Sequence, residues 1–393
     1  MLHLYVIVNL ESCAEGESRM VQRERLKSCK RVVIKVGTST VTHSTGKINL
    51  LRMETLAREI SDLQSSGRDV CLISSGAVGA GVGKINFPDR PKTLPEKQAL
   101  AAIGQGRLVH MYEKFFSEYG KTVAQVLLTR DVFSNRLRYL NARHTLLTLF
   151  DFAVVPIINE NDTVAVDEIK FGDNDTLSAM VSCLIDADLL IILSDIDGLF
   201  SDDPRINPEA HLLPVVEEVS QELLAHSRTK GSKHSSGGMF TKLAAARIVM
   251  TSGIPMIIAN NKEPNILRRL LDGENLGTLF LPSGEPVQAR KQWIAFGSTP
   301  HGRIVVDDGA AEAVRNRGKS LLPSGVVAVE GNFSRGEVVS IFDGSKVEIA
   351  RGMVNFSSDE IAIIAGHHTD EIEALLGNTD YDEIVHRNNL ALI

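Results

Sequence analysis

The sequence lacks the usual marks of a secreted, membrane-spanning or metal-binding protein. Its four cysteines show no CxxC or other metal-ligand spacing, so no metal-ligand residues are predicted. No apolar run approaches the roughly 20 residues that a membrane helix needs. The opening MLHLYVIVNL is short and has no basic flank, which argues against a signal peptide. We therefore expect a soluble protein of the reducing cytoplasm, without a membrane partner.

The common nucleotide-binding fingerprints are also missing. The glycine-rich stretch SSGAVGAGVGK, residues 74–84, fits neither GxGxxG nor GxxxxGK[ST], because Val78 stands where the first Walker glycine should be. Two interpretations of these glycines remain. They could let backbone N–H groups approach an anion at a helix start, with Ser75 adding a hydroxyl donor. Alternatively, they could allow a helix to pack closely on the sheet.

What the sequence does contain is an alternation of apolar runs and amphipathic stretches. The chain has 393 residues, 43% of them hydrophobic and 23% charged, which is typical of a soluble globular protein with two domains. Continuous apolar strands separated by helices predict an α/β fold with a mostly parallel, open sheet sandwiched by helices. The predicted strands are residues 32–36, 70–74, 123–128, 153–159, 189–195 and 254–260.

The pattern changes after residue 282, where short β-type runs broken by glycine turns predict a small β-rich module. Residues 300–393 carry 8 Lys+Arg against 15 Asp+Glu, so this module is acidic, with a net charge of −7. The predicted organisation is a poorly structured extension (1–29), a catalytic domain (30–282), a linker (283–299), the β-rich module (300–378) and a C-terminal tail (379–393).

Lys35 interrupts the apolar run RVVIKV and is the first candidate for a functional residue. Burying an unpaired ammonium costs several kcal/mol unless a partner or ligand compensates. The alternative is a stem packed along the strand with its head in water. In parallel sheets, ligands bind beyond the carboxyl ends of the strands, and Lys35 lies at such an end.

Short polar side chains gather beyond neighbouring strand ends, in NENDTV (159–164) and GDNDTLSAM (172–180). Asn174 or Asp175 could cap the helix that follows. Capping explains one residue of this group and not the others. With Asn159 and Asp162, these residues predict a site for a small zwitterion, in which carboxylates bind its ammonium group and amides bind the rest.

SSGGMFTK, residues 235–242, combines flexible N–H donors with Lys242 at a predicted helix start. The helix dipole disfavours a lysine there, and a bound phosphate would resolve that conflict. A mobile surface loop would have the same composition. Asp195, at the end of the strand LLIILSD, is placed for nucleotide contact, whereas Asp202 and Asp203 are expected to be solvated.

Six ordered motifs resemble the amino acid kinase family, in particular its branch that phosphorylates glutamate: VVIKVGTS, ISSGAVGAG, PIINENDTV, KFGDNDTLSA, LSDIDGLFSDDPR and SGGMFTKLAAA. The C-terminal stretches LLPSGVVAVEGNFSRGEVVSI and IAGHHTDEIEALLG resemble the PUA domain. The resemblance implies that ATP phosphorylates the side-chain carboxylate of L-glutamate to glutamyl 5-phosphate, the first step of proline biosynthesis. It also implies Mg²⁺ held mainly by ATP phosphates and water, feedback inhibition by proline, and a homo-oligomer, either a dimer or a tetramer.

The same resemblance implies roles for individual residues. Lys35, Lys242 and Asp175 would be catalytic, with Asp175 holding the two lysines that face the phosphate. The glutamate-binding residues would be Ser75, Asn159, Asp162 and Asn174. The nucleotide-binding residues would be Lys35, Ser194, Asp195, Ser236, Gly237, Gly238, Met239, Phe240, Thr241 and Lys242. A general base is not required, because a carboxylate is already ionised at neutral pH.

Two alternatives to this function stay open. The first is a kinase of another small acid in the same family, such as aspartate, acetylglutamate or carbamate. The second, from a different class, is an RNA-binding protein acting through the PUA-like module. RNA affinity depends mainly on neutralising phosphates, and a module with a net charge of −7 argues against nucleic acid as the partner.

Overall fold

The structure, a computed structural model, describes residues 22–89, 91–165, 173–229, 238–282, 291, 294–295, 300–377 and 381–393. The chain divides into two compact units. The described residues of Met1–Leu128 and Thr145–Gly284 form the first unit, and those of Thr129–His144 and Glu285–Ile393 form the second. Across the described residues, we find no helix that is both long and apolar enough to cross a membrane.

An eight-stranded sheet forms the centre of the first unit, in the order β3-β4-β2-β1-β5-β7-β8-β6. All neighbouring strands from β3 to β7 pair in parallel, and β8 pairs in parallel with β6. Within the described part of this sheet, the only antiparallel pair is β7 with β8. The prediction of a mostly parallel sheet is therefore confirmed. Its strands are β1 (Arg31–Val36), β2 (Asp69–Ile73), β3 (Val123–Leu128), β4 (Val155–Glu160), β5 (Leu189–Ser194), β6 (Val215–Val216), β7 (Met256–Asn260) and β8 (Thr278–Phe280).

All six predicted strands are present, with ends that differ by no more than two residues from the prediction. Five of them, all except the edge strand β3, are almost completely buried because both faces of the sheet are covered there. The strands β6 and β8 were not predicted. They have two and three residues and lie at one edge of the sheet, so they are too short to produce a recognisable pattern.

The helices up to residue 282 include α4 (Leu94–Ser117), which has a well-defined start. Its start is set by a capping box, in which Glu96 N donates to Thr93 Oγ1 (3.3 Å) and Thr93 N donates to Glu96 Oε2 (3.0 Å). The helices are α1 (Thr38–Val41), α2 (Leu50–Ser65), α3 (Ala77–Ile85), α4 (Leu94–Ser117), α5 (Arg130–Ser134), α6 (Arg136–Asp151), α7 (Asn174–Leu184), α8 (Gln221–Thr229), α9 (Met239–Thr251) and α10 (Ile266–Leu271).

Glycines let α3 and α4 approach so closely that their backbones touch. A Cβ on Gly81 would lie 2.0 Å from Leu100 O, and one on Gly104 would lie 1.7 Å from Ala77 O. The packing interpretation of the glycine-rich stretch therefore holds for Gly81, although the partner is a second helix and not the sheet. Gly76 has a different role. It is the N-cap of α3 and has a φ of 91°, a backbone conformation that residues with a side chain rarely adopt.

We expect Gly104→Ala to lower the free energy of unfolding by about 3 kcal/mol, because the new methyl group collides with the backbone of α3. The matched control is Gly106→Ala in the same helix, where a Cβ meets nothing within 4 Å. This control should raise stability by up to about 1 kcal/mol through helix propensity. Denaturant titration of both variants measures the difference, and equal stabilities would contradict the close packing of α3 and α4.

The second unit contains a five-stranded sheet in the order β10-β9-β11-β12-β13, with its own core around Ile304, Val339, Phe356 and Ile361. The prediction that this part of the chain is β-rich is therefore confirmed. Its elements are β9 (Gly302–Val306), α11 (Asp308–Arg317), β10 (Val326–Gly331), β11 (Val338–Phe342), β12 (Glu348–Met353), α12 (Ser358–Ile364), α13 (Ile372–Leu376) and β13 (Leu390–Leu392).

The start of the described chain differs from the predicted loose extension. Residues 22–29 pack on the first unit, with a short helix at Arg25–Ser28 and Leu26 only 2% exposed. The Arg23 side chain is 3% exposed, and its guanidinium donates to four backbone carbonyls, those of Pro214, Glu274, Leu276 and Gly277. Residues 1–21 of the predicted extension lie outside the described residues.

The end of the chain also differs from prediction, because the predicted tail is part of the β-rich module. Strand β13 pairs antiparallel with β12, from Leu390 to Leu392. Ile384 and Val385 are fully buried in the core of the module. The short pairing of β13, with three residues, gives little sequence signal.

Candidate active site

The predicted site residues that lie on strands or directly after them occupy the carboxyl ends of four neighbouring strands, in the order β4, β2, β1 and β5. Lys35 is the last residue but one of β1, and it pairs in register with Ile73 of β2 and Ile192 of β5. Asn159 is likewise the last residue but one of β4, one residue beyond Ile158, which pairs with Ile73. The sheet topology therefore brings the predicted strand ends to one edge, as the parallel arrangement requires.

A buried group of charges, which we call the ion cluster, joins Lys35, Asp175, Thr241 and Lys242. Asp175 is fully buried, and the two lysines are 6% and 5% exposed. Lys35 Nζ lies 2.6 Å from Asp175 Oδ1, and Lys242 Nζ lies 3.1 Å from Asp175 Oδ2. Thr241 Oγ1 donates to Asp175 Oδ2 at 2.7 Å. One carboxylate therefore holds two ammonium groups, and the cluster carries an excess positive charge.

The pKa of Asp175 reflects this environment. Burial alone would raise it, but the positive charges of Lys35 and Lys242 outweigh burial and lower the pKa to about 2. The carboxylate is consequently ionised at neutral pH, and its two oxygens orient Lys35 and Lys242.

The lysine pairing resolves two questions that the sequence raised. Lys35 is buried with a partner and does not extend its head into water. Lys242 is the fourth residue of α9, whose N-cap is Gly238, and Asp175 already compensates its charge near the helix start. A phosphate is therefore not needed to explain the position of Lys242.

The helix cap in this region is Asp173, and not Asn174 or Asp175 as expected. Thr176 N donates to Asp173 Oδ1 at 2.8 Å. Burial raises the pKa of Asp173, and the negative charge of Asp175 adds to the effect. Because Asp173 caps α7, Asn174 and Asp175 in its first turn are available to the site.

The Asn174 amide connects two strand ends. Its Nδ2 lies within hydrogen-bond distance of three oxygens: Ser74 O (2.7 Å), Ser75 Oγ (2.9 Å) and Asn159 Oδ1 (2.9 Å). Asn159 Oδ1 also accepts from Glu160 N at 2.9 Å. A backbone carbonyl can only accept and a backbone N–H can only donate, so these two contacts fix the orientation of both side-chain amides.

Asn159, which the resemblance assigns to glutamate binding, is almost completely buried. It is 1% exposed, and its Nδ2 donates to Gln105 Oε1 at 2.8 Å. Both polar atoms of its amide are thus bonded to protein groups. This geometry favours a role for Asn159 in orienting Asn174, and not in contacting the substrate.

The remaining predicted residues that the structure describes follow the ends of β4 and β5 or begin α9. Asp162 lies in the turn after β4 and is half-buried. Ser194 ends β5, and its hydroxyl donates to Asp195 Oδ1 at 3.3 Å, while Asp195 is exposed. Met239, Phe240, Thr241 and Lys242 form the first turn of α9. Ser236 and Gly237 lie outside the described residues.

Three side chains near the predicted residues were not singled out from sequence: Ser74, Gln105 and Tyr112. Gln105 contacts Asn159 directly, whereas Tyr112 contacts Ser74, the neighbour of Ser75. Ser74 directly precedes a predicted residue, so its position in SSG was a usable signal. Gln105 and Tyr112 lie within a long helix, where a glutamine and a tyrosine are ordinary. Only their spacing of seven residues, which puts them on one face of the helix, could have marked them.

Comparison with known proteins adds independent evidence. The profile of the amino acid kinase family matches residues 30–260, more than half of the chain. The chain belongs to the amino acid kinase family. Glutamate 5-kinase of Thermoanaerobacter sp. strain X514 is 55% identical over 363 residues, covering 92% of this chain and 98% of that protein. Glutamate 5-kinase of Moorella thermoacetica is 53% identical over 377 residues, 95% of this chain and all of that protein.

Beyond the amino acid kinase region, the PUA domain profile matches residues 302–376, within the β-rich module. Among solved structures, UMP kinase from Bacillus anthracis aligns with 65% of this chain and over 97% of its own length, at 20% identity and a TM-score of 0.46.

The described residues of this amino acid kinase contain no group of three or more His, Cys, Asp or Glu side chains arranged to hold a metal ion.

Proposed function

We propose that this chain transfers the γ-phosphate of ATP to the side-chain carboxylate of L-glutamate, giving L-glutamyl 5-phosphate, the first step of proline biosynthesis. The observation that carries the proposal is the ion cluster, in which two buried lysines share one carboxylate. Relatives that are named glutamate 5-kinase and are more than 50% identical over nearly their full length support glutamate as the acceptor.

The chemistry explains why lysines, and no general base, occupy the centre of the site. A glutamate carboxylate is ionised at neutral pH, so its oxygen can attack the γ-phosphorus without losing a proton. The new P–O bond forms as the bond to the β-phosphate oxygen breaks, and ADP leaves. The barrier is the repulsion between two anions, so catalysis depends on positioning and charge neutralisation. Lys35 and Lys242 supply positive charge there, and Asp175 fixes where it lies.

The orientation of the amides suggests how glutamate is bound. Ser75 Oγ accepts from Asn174 Nδ2, which leaves the Ser75 hydroxyl hydrogen to donate to a substrate carboxylate. Among the described residues, none donates to Asn174 Oδ1, so this oxygen can accept from the substrate ammonium. Asp162 supplies the negative charge that an ammonium requires. We refer to Ser75, Asn159, Asp162 and Asn174 together as the acceptor site.

For the nucleotide, we propose contacts with Ser194, Asp195 and the segment Ser236–Lys242. The excess positive charge of the ion cluster fits the phosphates of ATP. The Mg²⁺ that kinases normally require would be held through ATP oxygens and water, and it would neutralise charge on the phosphates. We also propose that proline, which shares an ammonium and a carboxylate with glutamate, competes at the acceptor site, that the protein forms homo-oligomers, and that it acts in the cytoplasm.

The direct test of the function is an ADP-release assay with ATP, Mg²⁺ and one acid at a time: glutamate, aspartate or acetylglutamate. We expect ADP release to depend on glutamate, and hydroxylamine should trap the acyl phosphate. Release that depends on aspartate or acetylglutamate instead would replace the proposed acceptor. The same assay with added proline tests for competition with glutamate.

We expect Asp162→Ala to raise the KM for glutamate by about 10- to 100-fold, because the substrate ammonium loses a charge-assisted hydrogen bond. The KM for ATP should stay within about twofold, since the phosphates are bound elsewhere. Asp62→Ala, at an exposed position on α2, is the control and should leave both values unchanged. A glutamate KM equal to that of the wild type would refute the role assigned to Asp162.

A further inference from the structure

Three side chains on one face of α4 reach three different segments of the acceptor site. Gln98, Gln105 and Tyr112 are seven residues apart, close to two turns of an α-helix, so they form a stripe about 20 Å long. Each makes a hydrogen bond to a segment that carries or adjoins a proposed glutamate-binding residue.

The outer two contacts hold the two loops of the site. Gln98 Nε2 donates to Ala165 O at 3.2 Å, in the turn that follows β4 and includes Asp162. Tyr112 is fully buried, and its hydroxyl lies 2.9 Å from Ser74 Oγ, next to Ser75. The stripe therefore fixes both loops relative to one rigid helix.

The central contact acts on the substrate-facing amide. Gln105 Oε1 accepts from Asn159 Nδ2 at 2.8 Å, and Asn159 Oδ1 in turn accepts from Asn174 Nδ2 at 2.9 Å. Without Gln105, the buried Nδ2 of Asn159 loses its acceptor, and Glu160 N is left as the only backbone group that orients the Asn159 amide. Whenever that less constrained amide rotates, it presents a donor to Asn174 and displaces the Asn174 oxygen from the position in which it accepts from an ammonium.

We propose that Gln105 is a positioning residue for the phosphoryl acceptor, which acts through Asn159 on Asn174, and that Tyr112 supports the Ser75 side of the same site. The inference rests on the proposed function, because it assigns the acceptor site to glutamate. The close packing of α4 on α3 through Gly104 and Gly81 supplies the rigidity that such positioning requires.

The test compares Gln105→Leu with wild type in the ADP-release assay of the full-length protein. We expect the KM for glutamate to rise about tenfold, since one buried hydrogen bond is lost and a second is misdirected. Turnover and the KM for ATP should change by less than about twofold, because the ion cluster is untouched. Tyr112→Phe keeps the ring and removes only the hydroxyl, and it should raise the same KM by about threefold.

A double-mutant cycle separates positioning from general damage. If Gln105 acts through Asn159, then Gln105→Leu should have no further effect on the glutamate KM in an Asn159→Ala background. Arg107→Leu, at an exposed position two residues along α4, is the matched control and should keep wild-type kinetics.

The outcomes distinguish the inference from the function. A wild-type glutamate KM in Gln105→Leu, with glutamate still phosphorylated by the wild type, overturns the positioning role and leaves the function standing. A Gln105→Leu variant with a lower melting temperature, a lower turnover and higher KM values for both substrates would show a structural role. That result would also overturn the positioning role. A wild-type protein that releases no ADP with glutamate removes the proposed function, and the inference falls with it.

Discussion

Lys35→Ala should lower the turnover number by about 10²- to 10³-fold, the loss expected when one preorganised charge at a developing anion is removed. The substrates meet as two anions, and the Lys35 ammonium is one of two buried cations at the strand edge where they would meet. Because that charge matters most in the transition state, the glutamate KM should change much less than turnover. Steady-state kinetics with ATP and glutamate measure both quantities.

The variant should remain folded, which makes the kinetic result interpretable. Asp175 keeps Lys242 and Thr241 as partners when Lys35 is removed, so no buried charge is left alone. Lys30→Ala, at an exposed position just before β1, is the matched control and should turn over like the wild type. Near wild-type turnover in folded Lys35→Ala would refute the catalytic role of Lys35.

Much of the fold could be predicted from sequence because burial leaves a strong local signal. β5 is covered on both faces of the sheet and therefore reads as an unbroken apolar run, and β1 reads as one that only Lys35 interrupts. The edge strands β6 and β8 could not be predicted in the same way, because two or three residues leave no period to detect.

The buried Arg23 illustrates a different limit of prediction. An arginine near the start of a chain is usually exposed, and local sequence gives no reason to bury it. Its four acceptors are backbone carbonyls more than 180 residues away, at the edge formed by β6 and β8. Carbonyl groups are present in every residue, so they carry no sequence signal at all.

The site was predictable to the extent that strand ends determine it. The rule for parallel sheets placed Lys35, Ser75 and Asn159 at one edge. The contact between Asp175 and Lys242 joins two helices 67 residues apart, and it follows from how α7 packs on α9. The burial of Asn159, which changes its proposed role from contact to orientation, likewise depends on α4, a helix that sequence patterns left without a function.

Asp175→Asn should lower the free energy of unfolding by about 3–5 kcal/mol, the range for removing one partner of a buried ion pair. The substitution keeps the volume of the side chain but leaves two ammonium groups, on Lys35 and Lys242, without a counter-ion in a buried site. Asp173→Asn is the matched control in the same helix. Asparagine caps a helix as well as aspartate does, so this control should change stability by less than about 0.5 kcal/mol.

The pH dependence of stability provides a second measurement on Asp175→Asn. In the wild type the pKa of Asp175 is lowered to about 2 by Lys35 and Lys242 against the effect of burial, whereas an unfolded aspartate titrates near pH 3.9. A group with a lowered folded pKa stabilises the fold above its unfolded pKa, and the contribution is lost as the pH falls toward the folded value. Between about pH 4 and pH 2, wild-type stability should therefore fall more steeply than that of Asp175→Asn. Parallel acid-unfolding curves would show that Asp175 does not hold the two lysines as the ion cluster requires.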